Sequence, residues 1–439
     1  MSLSRKLSAW LLPVVLAGCQ NGKLVERQSD RYDRSNLAAS LAESRSEAGL
    51  VLGIFPLAPN AIIDGDTIKV AGLDASLRLL GLDTEETWKS KKDFKLYEQL
   101  GFERYLEVKE AKSSGPYKGA TPLGMDAKDF AEDFFRGATH VRLERDHPKE
   151  IRDRFGRYLS YVFVKRDGEW VNYNVECVRA GMSPYFAKYG YSRRFHDEFV
   201  EAQREAREAE RGIWDPKLEH YRDYDLRLLW WDGRGDFVSD FWRVAEKRDD
   251  HIDLTHWDAL DRLERAEGKE VTLLATVSGI RPAKGNAPTR VLLGRRLFSD
   301  FPLIFYDERV LERSNIRDAT GFVVVRGTVS SYRYRGKRGR PGGKQLQIVI
   351  RNPEQILAWS ASVSRPGRTL DGKVLPSARD LLGVPEPSPS EEPPSETSID
   401  PPVEPAEENA DDLDTPVLPE PDDTTDVVPP PPPPAPPPP

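Results

Sequence analysis

The chain has only two cysteines in 439 residues, Cys19 and Cys177, and they lie far apart, so no structural disulfide is expected. Its six histidines, His140, His147, His196, His220, His251 and His256, show no metal-ligand spacing with cysteine or with one another. That argues against zinc chemistry and against histidine-based catalysis. Past the first 19 residues no apolar run is long enough for a transmembrane helix, so the rest is expected to be aqueous. A basic excess is missing too, since the formal net charge is -8. From residue 361 onward, however, there are 17 acidic and 4 basic side chains, a net of -13, which leaves about +5 on residues 1 to 360. The acidity belongs to the tail, and the remainder can approach a polyanion.

At the start stand Arg5 and Lys6, an apolar core from Leu7 to Val15, and Leu16-Ala17-Gly18-Cys19. The core is too short for a permanent span. Its ending resembles the lipobox of bacterial lipoproteins, which implies cleavage, lipidation of Cys19, export and membrane tethering; an ordinary secretory signal is the alternative. The length suits two or three folded units. The composition divides the chain into a signal peptide (1–19), a polar tether (20–56), a first domain (57–216), an aromatic connecting region (217–254), a second domain (255–358) and a disordered acidic, Pro-rich tail (359–439).

Asn60 to Thr87 gathers the chemistry. Ile62, Ile63, Ile68 and Val70 flank Asp64-Gly65-Asp66-Thr67, and Leu77, Leu79, Leu80 and Leu82 form a second run that contains Arg78 and ends at Asp83-Thr84-Glu85-Glu86. Such runs read as paired strands. Pairing brings Asp66 and Asp83 together with Glu86 just beyond, and carboxylates this close call for a cation such as calcium. Further on, a helix with a glycine stop is expected over Asp126–Gly137, strands over Val141–Leu143 and Tyr158–Val164 around the turn Asp153–Arg157, and helices over Asn172–Ala180 and Arg194–Arg211. Cys177 reads as a small core residue rather than a nucleophile.

IIDGDTIKV, LRLLGLDTEET, DRFGRYLSYV and RGIW, in that order, resemble the thermonuclease (staphylococcal-nuclease-like) family over about 160 residues. The resemblance implies an OB-type five-stranded barrel with helices, an α+β fold that is mainly β, and calcium-dependent endonuclease cleavage of DNA or RNA. It implies Ca²⁺ ligation by Asp66, Asp83 and the Thr84 carbonyl. The resemblance also implies that Glu86 stands beside the attacking water and near the metal and that Arg78 and Arg157 are the two catalytic arginines. The physics agrees, because two guanidiniums that never lose their protons can meet the charge that builds on a phosphodiester. Two departures stand out. Glu85 replaces a proline usual in the family, so Glu86 could be loosened or Glu85 could compete for the metal. The Trp88–Gly124 insertion is longer than in short members and reads as surface decoration rather than a substrate loop. Tyr185 and Tyr189 are candidates for nucleotide contact, each also readable as packing.

From Val271 to Ile350 five short strands with turn glycines suggest a second OB-type barrel. Between Ser331 and Gln345 lie Arg333, Arg335, Lys337, Arg338, Arg340 and Lys344 with Tyr332 and Tyr334 and no acid, a mixture suited to single-stranded DNA or RNA or else to a solvated hairpin. Competing functions are a catalytically inactive nucleic-acid-binding lipoprotein and an envelope scaffold whose Pro-rich tail recruits an unknown protein partner.

Overall fold

The computed structural model describes residues 50–113, 116–285, 287–294, 300–317, 319, 321–334 and 343–383. Strand β1 (Val51–Ile62) pairs antiparallel with β2 (Thr67–Val70), and β2 with β3 (Leu77–Leu79). Leu77 and Leu79 are buried in the core. Strand side chains alternate between faces, so the two leucines that enter the core send Arg78 to the other side. The insertion forms α1 (Lys91–Leu100) and α2 (Phe102–Glu110). Helix α3 (Pro122–Phe135) starts where the Thr121 hydroxyl accepts from Gly124 N and a proline occupies the first turn. Then come β4 (His140–Glu144), β5 (Tyr158–Arg166) and β6 (Glu169–Asn172). Because β5 pairs antiparallel with β4 and parallel with β3, the ring β1-β2-β3-β5-β4 closes, with β6 added at the outside of β5. Helices α4 (Tyr173–Arg179) and α5 (His196–Glu208) follow, and Cys177 is a buried core residue on α4.

The aromatic connecting region is one long helix, α6 (Tyr224–Ala245). Its Phe237, Val238, Phe241 and Trp242 pack on Leu274, Phe322, Val324 and Ala358 of the second barrel, while Leu228 and Trp231 pack against Phe186 of the first domain. Both barrels thus belong to one compact unit. The second part runs β7 (His251–Asp253), α7 (Ala259–Arg265), β8 (Glu270–Arg281), β9 (Thr289–Gly294), β10 (Phe301–Phe305), α8 (Glu308–Arg313), β11 (Phe322–Tyr334), β12 (Gly343–Ile350), β13 (Ile356–Trp359), β14 (Gly367–Arg368), β15 (Val374–Leu375) and α9 (Ala378–Leu382). Here β8-β9-β10-β12-β11 closes with β10 parallel to β12 and all other ring pairs antiparallel. The chain therefore holds two closed five-stranded OB-type barrels with helices, a mixed α and β fold.

Two expected boundaries differ. Ordered strand begins at Val51, because Val51 to Pro56 ladder with β4 and Leu52 and Phe55 pack on the first core, so the end of the stretch read as tether is part of the barrel. Order also continues past residue 359. Val363 and Ala378 are buried, and Ser377 and Asp380 form a capping box at the start of α9. Averaging composition over the whole proline-rich tail hides these few apolar residues. Cys19 and residues 384–439 lie outside the described residues.

Candidate active site

At one mouth of the first barrel the end of β3 and the loop before β2 face each other. Asp66 stands just before β2, and Thr67 of β2 is opposite Arg78 in the ladder. The Arg78 guanidinium bridges two carboxylates: Nη1 donates to Asp66 Oδ2, and Nη2 donates at 3.0 Å to Asp83 Oδ1 and at 3.1 Å to the Leu82 carbonyl. Thr67 Oγ1 donates at 2.9 Å to Asp66 Oδ1. Asp83 is fixed from its backbone, where its N donates to Ser183 Oγ at 2.9 Å. Asp64, Asp66, Asp83 and Thr84 are all buried. Gly65 lets the two loops touch, since a Cβ there would lie 2.7 Å from Thr84 Cγ2.

Electrostatics hold Arg78 and Asp83 in their charged forms. Burial works against the charge on Arg78, but Asp66 and Asp83 outweigh it and raise its pKa further. Burial likewise works against ionised Asp83, yet Lys118 and Arg78 pull its pKa down to about 2. Lys118 Nζ sits 2.8 Å from Asp83 Oδ1. Lys118 belongs to the insertion, so that segment is no mere decoration of the surface. It delivers a cation to the site, and Phe102, Leu106 and Tyr117 pack with Tyr221 and Tyr224 beneath it. No motif in Gly119 and its neighbours marks Lys118 in the sequence; only the return of the chain toward Asp83 does.

Glu86 is partly exposed and pairs with Lys89 at 3.0 Å, while Lys89 also lies 3.9 Å from Asp64. Glu85 points elsewhere. It is 1% exposed and accepts from Thr121 Oγ1, from Tyr221 N at 2.7 Å and from Tyr224 Oη at 2.7 Å. Burial raises its pKa against those three donors. With both oxygens taken, Glu85 is no rival for the aspartate cluster, and instead of loosening Glu86 it ties the turn to α3 and α6. Close packing completes the tie: a Cβ on Gly124 would fall 2.0 Å from the Glu86 carbonyl oxygen.

Arg157 follows the turn before β5, where its Nε donates to Asp153 Oδ2 at 2.7 Å and its N to Asp153 Oδ1 at 2.9 Å. β5 runs parallel to β3 with Tyr158 opposite Leu77, so Arg157, just before β5, lies toward the same end of the barrel as the start of β3. Of the two tyrosines, Tyr185 is packing: it is buried and stacks on Phe199 at 4.7 Å. Tyr189 is 53% exposed, near Phe186 and Lys118. On the second barrel Arg333 and Tyr332 are exposed at the end of β11, whereas Arg335, Lys337 and Arg338 lie outside the described residues.

An OB-type barrel with an arginine held between two aspartates defines a class of protein, and comparison with known proteins gives the family. Residues 76–216 match the family described as staphylococcal nuclease homologue. An uncharacterised protein of Methanocaldococcus jannaschii is 33% identical over 162 residues, 35% of this chain and 69% of that protein. The thermonucleases of Staphylococcus hyicus and Staphylococcus intermedius are each 27% identical, over 158 and 157 residues, covering 35% of this chain and 72% and 73% of theirs. This chain belongs to the staphylococcal nuclease family. The family match begins after Asp66, so the place of Asp66 in the site rests on its contact with Arg78.

Proposed function

We propose that the chain is a calcium-dependent nuclease that hydrolyses phosphodiester bonds of DNA or RNA, exported and tethered through a lipidated Cys19. The observation that carries the reading is the convergence of Asp66 and Asp83 on one cationic centre, the Arg78 guanidinium. Two carboxylates that meet on a guanidinium suit a hard oxygen-seeking cation equally well, with the Thr84 carbonyl as a third donor. Bound there, calcium would neutralise phosphate charge and orient the scissile group. Arg78 and Arg157 donate to the nonbridging oxygens as negative charge builds on them. Glu86, beside Lys89 at the open edge, accepts a proton from the attacking water as the new P–O bond forms, and the bond from phosphorus to the leaving oxygen breaks as that oxygen takes a proton from solvent water. Export is supported by the LAGC ending of the first apolar run, and an exported protein would meet plentiful calcium.

One observation favours a second reading. Arg78 and Lys118 already neutralise Asp83, the arrangement expected of an inactive relative that only captures nucleic acid. Cleavage of single-stranded DNA by residues 20–439, with calcium or with chelator, separates the two. Calcium-dependent cutting that falls about a hundredfold or more in Glu86→Gln and Arg157→Ala is the expected result. Binding without cutting establishes the capture protein.

A further inference from the structure

The histidines show no ligand spacing along the chain, yet the fold brings two of them together with a glutamate. His147 and Glu150 lie in the loop after β4, and His256 lies between β7 and α7. One ligand atom from each falls within 4.8 Å of the others. The two imidazoles stack with centroids 4.9 Å apart and planes 23° apart. The surrounding backbone is already joined, because Trp257 N donates to the Lys149 carbonyl at 2.9 Å and Lys149 Nζ pairs with Asp258 at 3.0 Å.

Three polar atoms of this cluster are buried without a hydrogen-bond partner. Neither ring nitrogen of His256 has a hydrogen-bond partner, and nor does Glu150 Oε1. The distance from His256 Nε2 to Glu150 Oε1 is 3.7 Å. A histidinium–carboxylate pair in so dry a place would close to a charge-assisted bond of about 2.8 Å. By contrast, two ligand atoms each about 2.1 Å from one tetrahedral ion stand about 3.4 Å apart, near the 3.7 Å of the His256–Glu150 pair. Asp253 Oδ2, 3.8 Å from the same nitrogen, accepts from Trp242 Nε1, and Asp253 Oδ1 accepts from Thr255, so this residue is an outer carboxylate. Arg193, 4.0 Å from Glu150, is engaged by Glu246 at 3.0 Å and by the Trp242 ring. Lys149 N donates to His147 Nδ1 at a long 3.3 Å, a weak bond that a metal at this nitrogen displaces.

We propose that His147, Glu150 and His256 form a site for a zinc-class divalent metal that clasps the β4–β5 loop of the first barrel to the second domain. Two imidazoles and one carboxylate are a borderline donor set, unlike the all-oxygen aspartate cluster, and they suit zinc or cobalt over calcium. Each half of the site comes from a different barrel, so the metal acts as a structural clasp.

The test uses residues 20–439 stripped with chelator, held in saturating calcium, and titrated with Zn²⁺ alone and separately with Co²⁺. One equivalent of Zn²⁺ should bind and raise the melting temperature, and Co²⁺ should give the intense visible absorption of a four-coordinate site. His147→Ala and His256→Ala should each weaken Zn²⁺ binding about tenfold or more and remove that absorption, while Asp83→Asn leaves both intact. Glu150→Gln, which keeps the side-chain volume, gives the same loss without a cavity. Absence of Zn²⁺ binding, binding unchanged in the His147 and Glu150 variants, or loss of binding in Asp83→Asn overturns the proposal. Because none of these readouts is cleavage, the outcome is independent of the nuclease reading.

Discussion

The two barrels share one strand order and one parallel pair, and differ in what stands at the same register. Setting Leu77–Tyr158 of the first against Leu303–Ile348 of the second, Arg78 falls on Ile304, Asp66 on Thr289 and Arg157 on Gln347. Ile304 is 3% exposed, so the second barrel buries an apolar side chain where the first presents a guanidinium. A closed OB-type sheet is satisfied by its alternating core and tolerates either choice, which is why fold alone does not assign function. The buried cluster of charged side chains belongs to a few positions in one of two similar barrels.

Stability offers the largest effect by which to test that asymmetry. Removing Glu85 leaves Thr121, Tyr221 and Tyr224 with buried unsatisfied donors, so Glu85→Ala should cost about 3–5 kcal/mol in urea unfolding. Tyr306→Ala, just after β10 and 72% exposed, should hardly move the midpoint. Equal losses would mean that the turn after the third strand matters alike in both barrels. Turnover comes next: Arg78→Ala should slow cleavage of single-stranded DNA about a hundredfold or more, while Ile304→Val keeps the rate. An Arg78 variant as fast as the parent would remove the first barrel's claim to the chemistry.

Acid sharpens the contrast further. Asp83, with its folded pKa pulled down to about 2, lies below its unfolded value. Its contribution is therefore fully present above about pH 5 and is lost as the pH falls toward 2, a change of roughly 2 kcal/mol. Urea unfolding between about pH 3 and pH 6 should show it, and Lys118→Met should shrink it; a pH-independent midpoint in the parent would contradict the assigned ion pairs. The smallest effect belongs to the second barrel. If it touches nucleic acid, Arg333→Ala should lower the slope of log affinity against log salt by about one. An unchanged slope in a titration at several salt concentrations would leave that end of β11 as a solvated hairpin.

Much of this was legible in the residues. DGDT and LRLLGLDT placed Asp66 and Asp83 at strand ends near one another, with Arg78 inside the second run and Arg157 in the turn Asp153–Arg157, whereas the direction of Arg78 follows from the burial of Leu77 and Leu79 in the structure. Glu85 stands in the sequence only as a departure that could loosen Glu86 or compete for the metal, because its role depends on Tyr221 and Tyr224, which lie far along the chain. The insertion was undervalued for the same reason, since nothing local distinguishes Lys118 from a solvated lysine.

By itself the sequence determined the two barrels and gathered the charged residues at the first barrel's mouth, because hydrophobic period and turn chemistry are local properties. Only the tertiary structure decided that Arg78 spans two carboxylates, that Lys118 joins them, that Glu85 ties the site to α6, and that His147, Glu150 and His256 meet. Those are through-space contacts between distant segments, set by how the barrels close and dock, and no spacing along the chain encodes them.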